Sequence, residues 1–132
     1  MKANAHRVGD DGFKHTVTVG RHEVTVDEPE ANGGTDDGPN PQEMLAVSLA
    51  SCTAITIEMY AKRKGWDIGD VAVDVNYEPA QRGSPTKFDL SVKLPKELPE
   101  DQRERLMQIA AKCPVHRTLE GEVMFDETVE LA

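Results

Sequence analysis

Pro39-Asn-Pro-Gln-Glu-Met-Leu-Ala-Val-Ser-Leu-Ala-Ser-Cys-Thr-Ala-Ile-Thr-Ile57 is the stretch on which the fold turns. From Met44 to Ile57 no residue is charged. Apolar side chains recur on every helical face, so the pattern predicts a helix buried all round rather than one lying on a surface. Its start is marked by Asn40 as N-cap, Pro41 at the first helical position and Glu43 three residues after the cap, the spacing of a capping box. Residues 60–64 turn polar and Gly65 supplies a stop, giving a helix from about Pro41 to Lys64. Cys52 sits at its middle, where a thiol would be dry and shielded. A buried cysteine of this kind is either an inert small hydrophobe or a protected nucleophile.

The chain around this helix is short. Its 132 residues predict one domain spanning 1–132 with a small core. A helix apolar on all sides is hard to cover in so small a domain, and pairing with a second copy is the simplest remedy. The net charge of −9 argues against nucleic acid and anionic membranes as partners, since both select basic surfaces. The start, Met1-Lys-Ala-Asn-Ala-His-Arg7, leads into no apolar segment, and the longest uncharged run is shorter than a membrane span and broken by Ser48, Ser51, Thr53 and Thr56. The expectation is a cytoplasmic protein, in which two cysteines are catalytic or idle rather than a structural disulfide.

Before the helix the pattern is β. Thr16–Val19 and His22–Val26 flank Gly20-Arg21, a two-residue hairpin turn that places Val17 opposite Val24. An earlier strand is expected from Asn4 to Val8. Asp27 to Asn40 is rich in Gly, Pro and acidic residues. It is either a solvated connector or a loop shaping the mouth of a site near the helix start. Its glycines make no phosphate-binding signature, because no basic residue follows them.

After the helix, Val71, Val73, Val75 and Tyr77 alternate with polar residues, as do Phe88, Leu90, Val92 and Leu94, which predicts a second hairpin with one buried face. Glu100 to Lys112 reads as an amphipathic helix with Leu106, Ile109, Ala110 and Cys113 on one face. Pro114 is expected to stop helix from Cys113 onward, leaving a turn at 116–119. Val123, Phe125 and Val129 suggest a last strand. Trp66 reads as a core anchor, and His116 and Arg117 as closing residues of the last helix.

The two cysteines are 61 positions apart, so only the fold can join them, and there is no Cys-x-x-Cys. Cys113-Pro-Val-His116 has metal-like spacing, but with Cys52 it would still leave a zinc site one ligand short. No cofactor is implied.

Gly33 to Ala54, followed by Met59-Tyr-Ala-Lys-Arg-Lys-Gly-Trp66 and by Lys112-Cys-Pro-Val-His-Arg-Thr-Leu119, closely resembles the OsmC/Ohr family of thiol-dependent peroxidases. The resemblance covers essentially the whole chain in the expected order. It implies an α+β fold: an intertwined homodimer with long central helices, flanked by mostly antiparallel sheets, with sites at the dimer interface. It implies reduction of organic hydroperoxides, with Cys52 as the peroxidatic and Cys113 as the resolving cysteine. Glu43 matches a family glutamate that orients an N-terminal arginine against the thiolate. Arg7 and Arg21 are the only early arginines, and neither occupies that place unambiguously.

The chemistry so implied is self-consistent. The thiolate is the nucleophile, and mid-helix nothing favours it, so a guanidinium oriented by Glu43 is required. Attack on the O–O bond gives a sulfenic acid, Cys113 condenses with it, and an external dithiol reductant reopens the disulfide. Leu49, Ile55 and Met59 would favour alkyl hydroperoxides. Glu43 lies nine residues before Cys52, about 13–14 Å along the axis and about 180° around it, so its carboxylate would serve the Cys52 of a partner chain. The bland reading of Glu43 is a helix cap alone. The alternative for the whole chain is a dimeric small-molecule-binding protein of the same fold without efficient peroxidase activity.

Overall fold

The computed structural model describes residues 1–131 and is α+β, built from two antiparallel sheets and three α-helices. It divides into two compact units, residues 1–47 and the chain from Ser48 onward.

In the first unit, β1 (Ala3–Arg7), β2 (His15–Val19) and β3 (His22–Val26) form a sheet in the order β1-β2-β3. Val17 pairs with Val24 as the turn chemistry requires, and Gly20 takes the left-handed conformation that opens the tight turn. The loop after β3 is ordered by a buried carboxylate. Asp27 accepts from the backbone N–H groups of Glu28, Thr35 and Asp37 and from the Thr35 hydroxyl. The chain closes so tightly over it that a methyl group on Gly34 would overlap the Glu28 carbonyl oxygen.

The helix α1 (Pro41–Lys64) runs as its sequence predicts. Its capping box is complete: Glu43 N–H donates to Asn40 Oδ1 at 2.8 Å, and Asn40 N–H donates to Glu43 Oε1 at 3.0 Å. Gly65, left-handed, ends it, and Trp66 N–H reaches back to the Ala61 carbonyl. Among the described residues α1 is long and apolar enough to cross a membrane, a test that core helices of globular folds also pass.

The second unit buries one side of α1 through Leu49, Thr53, Ile57, Tyr60 and Ala61, spaced i, i+4, i+8, i+11 and i+12. Facing it are Leu106, Ile109 and Ala110 of α2 (Glu100–Ala110), with Ile68 and Leu98. Arg105 donates to the Tyr60 hydroxyl at 3.0 Å, and Trp66 meets the Tyr60 ring edge-on at 5.7 Å, so Trp66 is the core anchor its position suggests. The hairpin of β4 (Ala72–Glu78) and β5 (Lys87–Lys93) pairs Val73 with Val92, Val75 with Leu90 and Tyr77 with Phe88, the last two rings stacked at 4.7 Å.

Four expectations are corrected. Helix does not stop at Pro114. It begins there as α3 (Pro114–Glu120), because the N–H that proline lacks would have no intrahelical partner at the first helical position anyway. Pro114 instead keeps Cys113 extended, and Cys113 is the N-cap of α3 rather than a residue of α2. Residues 121–131 form no strand, and Val123, Phe125 and Val129 are exposed. Alternation marks a segment fit for a ladder, and a ladder needs a partner strand. Finally, α1 is not buried all round in the single chain: Val47, Ile55 and Met59 are exposed, and Cys52 is half-buried.

Two outcomes test the local physics. The Thr35 hydroxyl above all, with the three amides, lowers the Asp27 pKa from 3.8 to about 2. Its contribution to stability is therefore full above an ordinary aspartate pKa and lost as pH falls from about 4 through about 2. Urea denaturation will show this acid-limb loss in the wild-type protein and a flatter limb in Asp27→Asn, which is also weaker near neutrality. At the helix start, Asn40→Ala will cost about 1 kcal/mol, whereas Glu43→Gln, which keeps an acceptor for the capping box, will stay within about 0.5 kcal/mol of wild type.

Candidate functional site

Both cysteines are free thiols, and the fold of the second unit brings them together. Cys52 leaves α1 beside its buried side. The next residue, Thr53, is fully buried and donates its hydroxyl proton to the Leu49 carbonyl at 2.8 Å, which fixes its rotamer. Cys52 Sγ also makes a long contact, 4.0 Å, with Thr56 Oγ1 one turn on.

Cys113 has no exposed surface. Its sulfur accepts from the His116 backbone N–H at 3.4 Å, the capping contact of α3. The Cys52 thiol and the Thr53 hydroxyl also lie close enough to it to bias its protonation. Burial first, and then the hydrogen bond and charge of Cys52, push the Cys113 pKa up, against a lesser lowering by the His116 amide and Thr53. The proton on Cys113 is therefore firmly held.

The two thiols differ in access as well. Cys52, Ile55 and Met59 follow one another at i, i+3 and i+7, so the half-buried thiol lies on a stripe of exposed apolar side chains; Ile55 is 52% and Met59 62% exposed. On the other side of Thr53 is a cavity of about 190 Å³ walled by Leu90, Val92, Met107, Ala110 and His116.

The remaining candidates have definite places. The His116 ring turns away from the sulfur, Nδ1 to the Ala111 carbonyl at 2.8 Å and Nε2 to Glu120 at 3.2 Å. Cys113 and His116 thus share a capping contact through the His116 backbone N–H. Arg117 is exposed, and its carbonyl receives the Gly121 N–H that closes α3. In the first unit, Glu43 is held in the capping box, the Arg7 guanidinium donates to the carbonyls of Asp10 and Gly12, and Arg21 is exposed at the hairpin turn. The loop after β3 does wall a cavity. About 520 Å³ in volume and mainly apolar, it is lined by Phe13, Val17, Val26, Asp27, Pro41 and Met44.

Thr53 is the site residue the sequence reading passed over. A threonine next to a cysteine in an apolar helix carries no signal until the helix's buried side is known. Once Leu49 and Ile57 define that side, Thr53, four residues from each, must lie on it.

Comparison with known proteins agrees with this architecture. A family model described as OsmC-like protein matches residues 34–128. A protein of Haloferax volcanii, described as uncharacterized, is 28% identical over 125 residues, which span 92% of this chain and 90% of that one. An OsmC-like protein from Mycoplasma pneumoniae has the same fold, with a TM-score of 0.74 at 21% identity, covering 91% of this chain and 86% of its own. The organic hydroperoxide resistance protein OhrB of Bacillus subtilis aligns with a TM-score of 0.60 at 22% identity, over 91% of this chain and 90% of its own. The matched segment contains the capping box, all of α1 and both cysteines, and the chain belongs to the OsmC family.

Proposed function

We propose that the protein reduces organic hydroperoxides in a two-cysteine cycle run by Cys52 and Cys113. The observation that carries this reading is that the fold makes neighbours of two free thiols 61 positions apart, one accessible and one buried with its proton held. Membership of a family that includes named organic hydroperoxide resistance proteins supports it.

The roles follow from the two environments. A hydroperoxide can reach Cys52 and cannot reach Cys113. The Cys52 thiolate attacks the outer peroxide oxygen, the O–O bond breaks, and the leaving alkoxide takes a proton to become the alcohol. Cys52 is left as a sulfenic acid. Cys113 sulfur then attacks Cys52 sulfur, the S–O bond breaks, and the hydroxide leaves as water with the proton given up by Cys113. The two electrons that reduced the peroxide have come from the two thiols. An external dithiol restores them by exchange through a mixed disulfide. The apolar Ile55 and Met59 beside Cys52 suit an alkyl group better than hydrogen peroxide.

The same stripe supports a homodimer. A soluble chain gains by covering Cys52, Ile55 and Met59 with a second copy. Glu43, a helix cap in its own chain, would act at the partner's thiol and hold there the cation that the thiolate needs. A binding protein of the same fold is the second reading. It draws on the engagement of Arg7 by its own turn carbonyls and on the large apolar cavity of the first unit.

One equivalent of cumene hydroperoxide will remove two free thiols per chain from the wild-type protein. In Cys113→Ser it will leave a trappable sulfenic acid at Cys52, and Cys52→Ser will consume no peroxide. Unchanged thiol counts in the wild-type protein would favour the binding reading. Light scattering will give twice the chain mass, and Ile55→Glu will lower the dimer fraction at micromolar concentration; a stable wild-type monomer would reject the dimer. Mixed dimers of Cys52→Ser with Glu43→Gln chains will recover about half the activity if Glu43 acts across the interface, because one of their two sites then holds both intact residues.

A further inference from the structure

In Cys113-Pro-Val-His116 the two-cysteine cycle leaves one group unused, the His116 side chain. Its ring does not face the sulfur. It reaches back five residues, where Nδ1 donates to the Ala111 carbonyl at 2.8 Å, and forward four, where Nε2 meets a Glu120 carboxylate oxygen at 3.2 Å. A carbonyl oxygen only accepts, so the partner fixes the proton on Nδ1. The Glu120 contact lies within α3 and is an ordinary pair one turn apart. The Ala111 contact is of another kind. Ala111 is the C-cap of α2, so the bond spans the corner between two helices, and Cys113 lies inside the loop that it closes.

The same residue also touches the sulfur. The His116 backbone N–H donates to Cys113 Sγ at 3.4 Å. Ring and amide belong to one residue, so where the ring is tied the amide is tied with it. Other forces hold this corner weakly. The N–H groups of Lys112 and Cys113 donate to the Ile109 and Ala110 carbonyls at 2.9 and 3.3 Å, which finishes α2 without reaching α3. No residue of α3 is buried, so apolar packing gives its first turn little hold.

We propose that His116 is the positioning residue of the resolving step: its ring clamps the corner from Ala111 to His116 and so keeps its own amide against the Cys113 sulfur. This deepens the two-cysteine reading and rests on it for the consequence in turnover, while the clamp itself does not. The bonds formed and broken are those of the cycle above, and the clamp adds no reactant. As Cys113 attacks the Cys52 sulfenic acid it gives up its proton, on a sulfur with no exposed surface. An N–H held at that sulfur favours the state without the proton. One free to swing away does not. Cys52 has no such dependence, since its sulfur contacts Thr56 of its own helix.

Three variants separate the ring nitrogens. His116→Asn puts its amide nitrogen where Nδ1 stands and keeps the bond to Ala111. His116→Gln reaches the place of Nε2 and loses that bond, and His116→Ala loses both. Ala111 is exposed, so water can satisfy its carbonyl in each of them. In the first arm, hydrogen exchange of the amide at position 116 is measured in the Cys52→Ser background, which needs no peroxide. Its protection factor will fall about fivefold in His116→Ala and His116→Gln, the scale of one net hydrogen bond, and will be kept in His116→Asn. In the second arm, chains with both cysteines are pulsed with cumene hydroperoxide. Sulfenic acid will form on Cys52 at the wild-type rate in all three. Its decay into the disulfide will slow about fivefold in His116→Ala and His116→Gln alone, and excess peroxide will drive more Cys52 to sulfinic acid in those two. Unchanged protection in His116→Ala overturns the proposal, as does lost protection with an unaltered rate of resolution. If His116→Ala is poorly folded, His116→Gln against His116→Asn makes the same comparison with a polar side chain in both. Should the wild-type protein prove inert to hydroperoxide, the cycle proposed above fails, and the exchange arm still decides whether the His116 ring holds its amide at Cys113.

Discussion

The packing of Ile57, Tyr60 and Ala61 against Leu106, Ile109 and Ala110 of α2 is the constraint on which the candidate site depends. The three residues of α1 fix its rotation, and the rotation fixes everything that follows from it. Thr53 is directed into the core, so Cys52, one position earlier and about 100° away, is placed at the edge of the buried side. Cys113 arrives from the junction of α2 and α3, where Pro114 holds it extended and its side chain is fully buried. Two thiols of the same chemistry thus acquire different environments through packing alone. One is accessible, and the other is buried with its proton held.

The same constraint leaves something uncovered. A helix whose apolar residues occupy all faces can bury only one side against a single small core. Here the remaining side, with Ile55 and Met59, stays at the surface of the single chain beside the accessible cysteine. Hydrophobic cover for that stripe and chemical completion of the site are therefore the same problem. The proposed cycle would need a cation beside Cys52, and Arg7 spends its guanidinium on the carbonyls of its own turn.

Much of this was legible in the sequence, and the parts that were not share a cause. The limits of α1, its Asn40–Glu43 capping box, the Val17–Val24 register and the second hairpin with Val73, Val75 and Tyr77 facing the same side as Phe88, Leu90 and Val92 could be read because caps, tight turns and period-two patterns are local. Pro114 was misread because the same residue that ends one helix can begin the next, and which it does depends on whether the chain can turn there. Residues 121–131 were misread because alternation records fitness for a ladder and says nothing of where the partner strand lies. Asp27 gave no signal among so many loop acids, yet it is the one that the loop wraps. Thr53 needed a long-range fact, the rotation of α1, before its hydroxyl meant anything. The resemblance of the two cysteine segments to the OsmC/Ohr family supplied the pairing of Cys52 with Cys113, which spacing could not.

The central claim is that these two thiols form one redox unit. Peptide mapping by mass spectrometry under non-reducing conditions, after one equivalent of an alkyl hydroperoxide, tests it most directly. The account predicts a linked pair of peptides containing Cys52 and Cys113 from a single chain, two hydrogens lighter than the sum of the free peptides and absent after dithiol treatment. Recovery of both peptides as free thiols, or of Cys52 as sulfinic or sulfonic acid with Cys113 untouched, would contradict it.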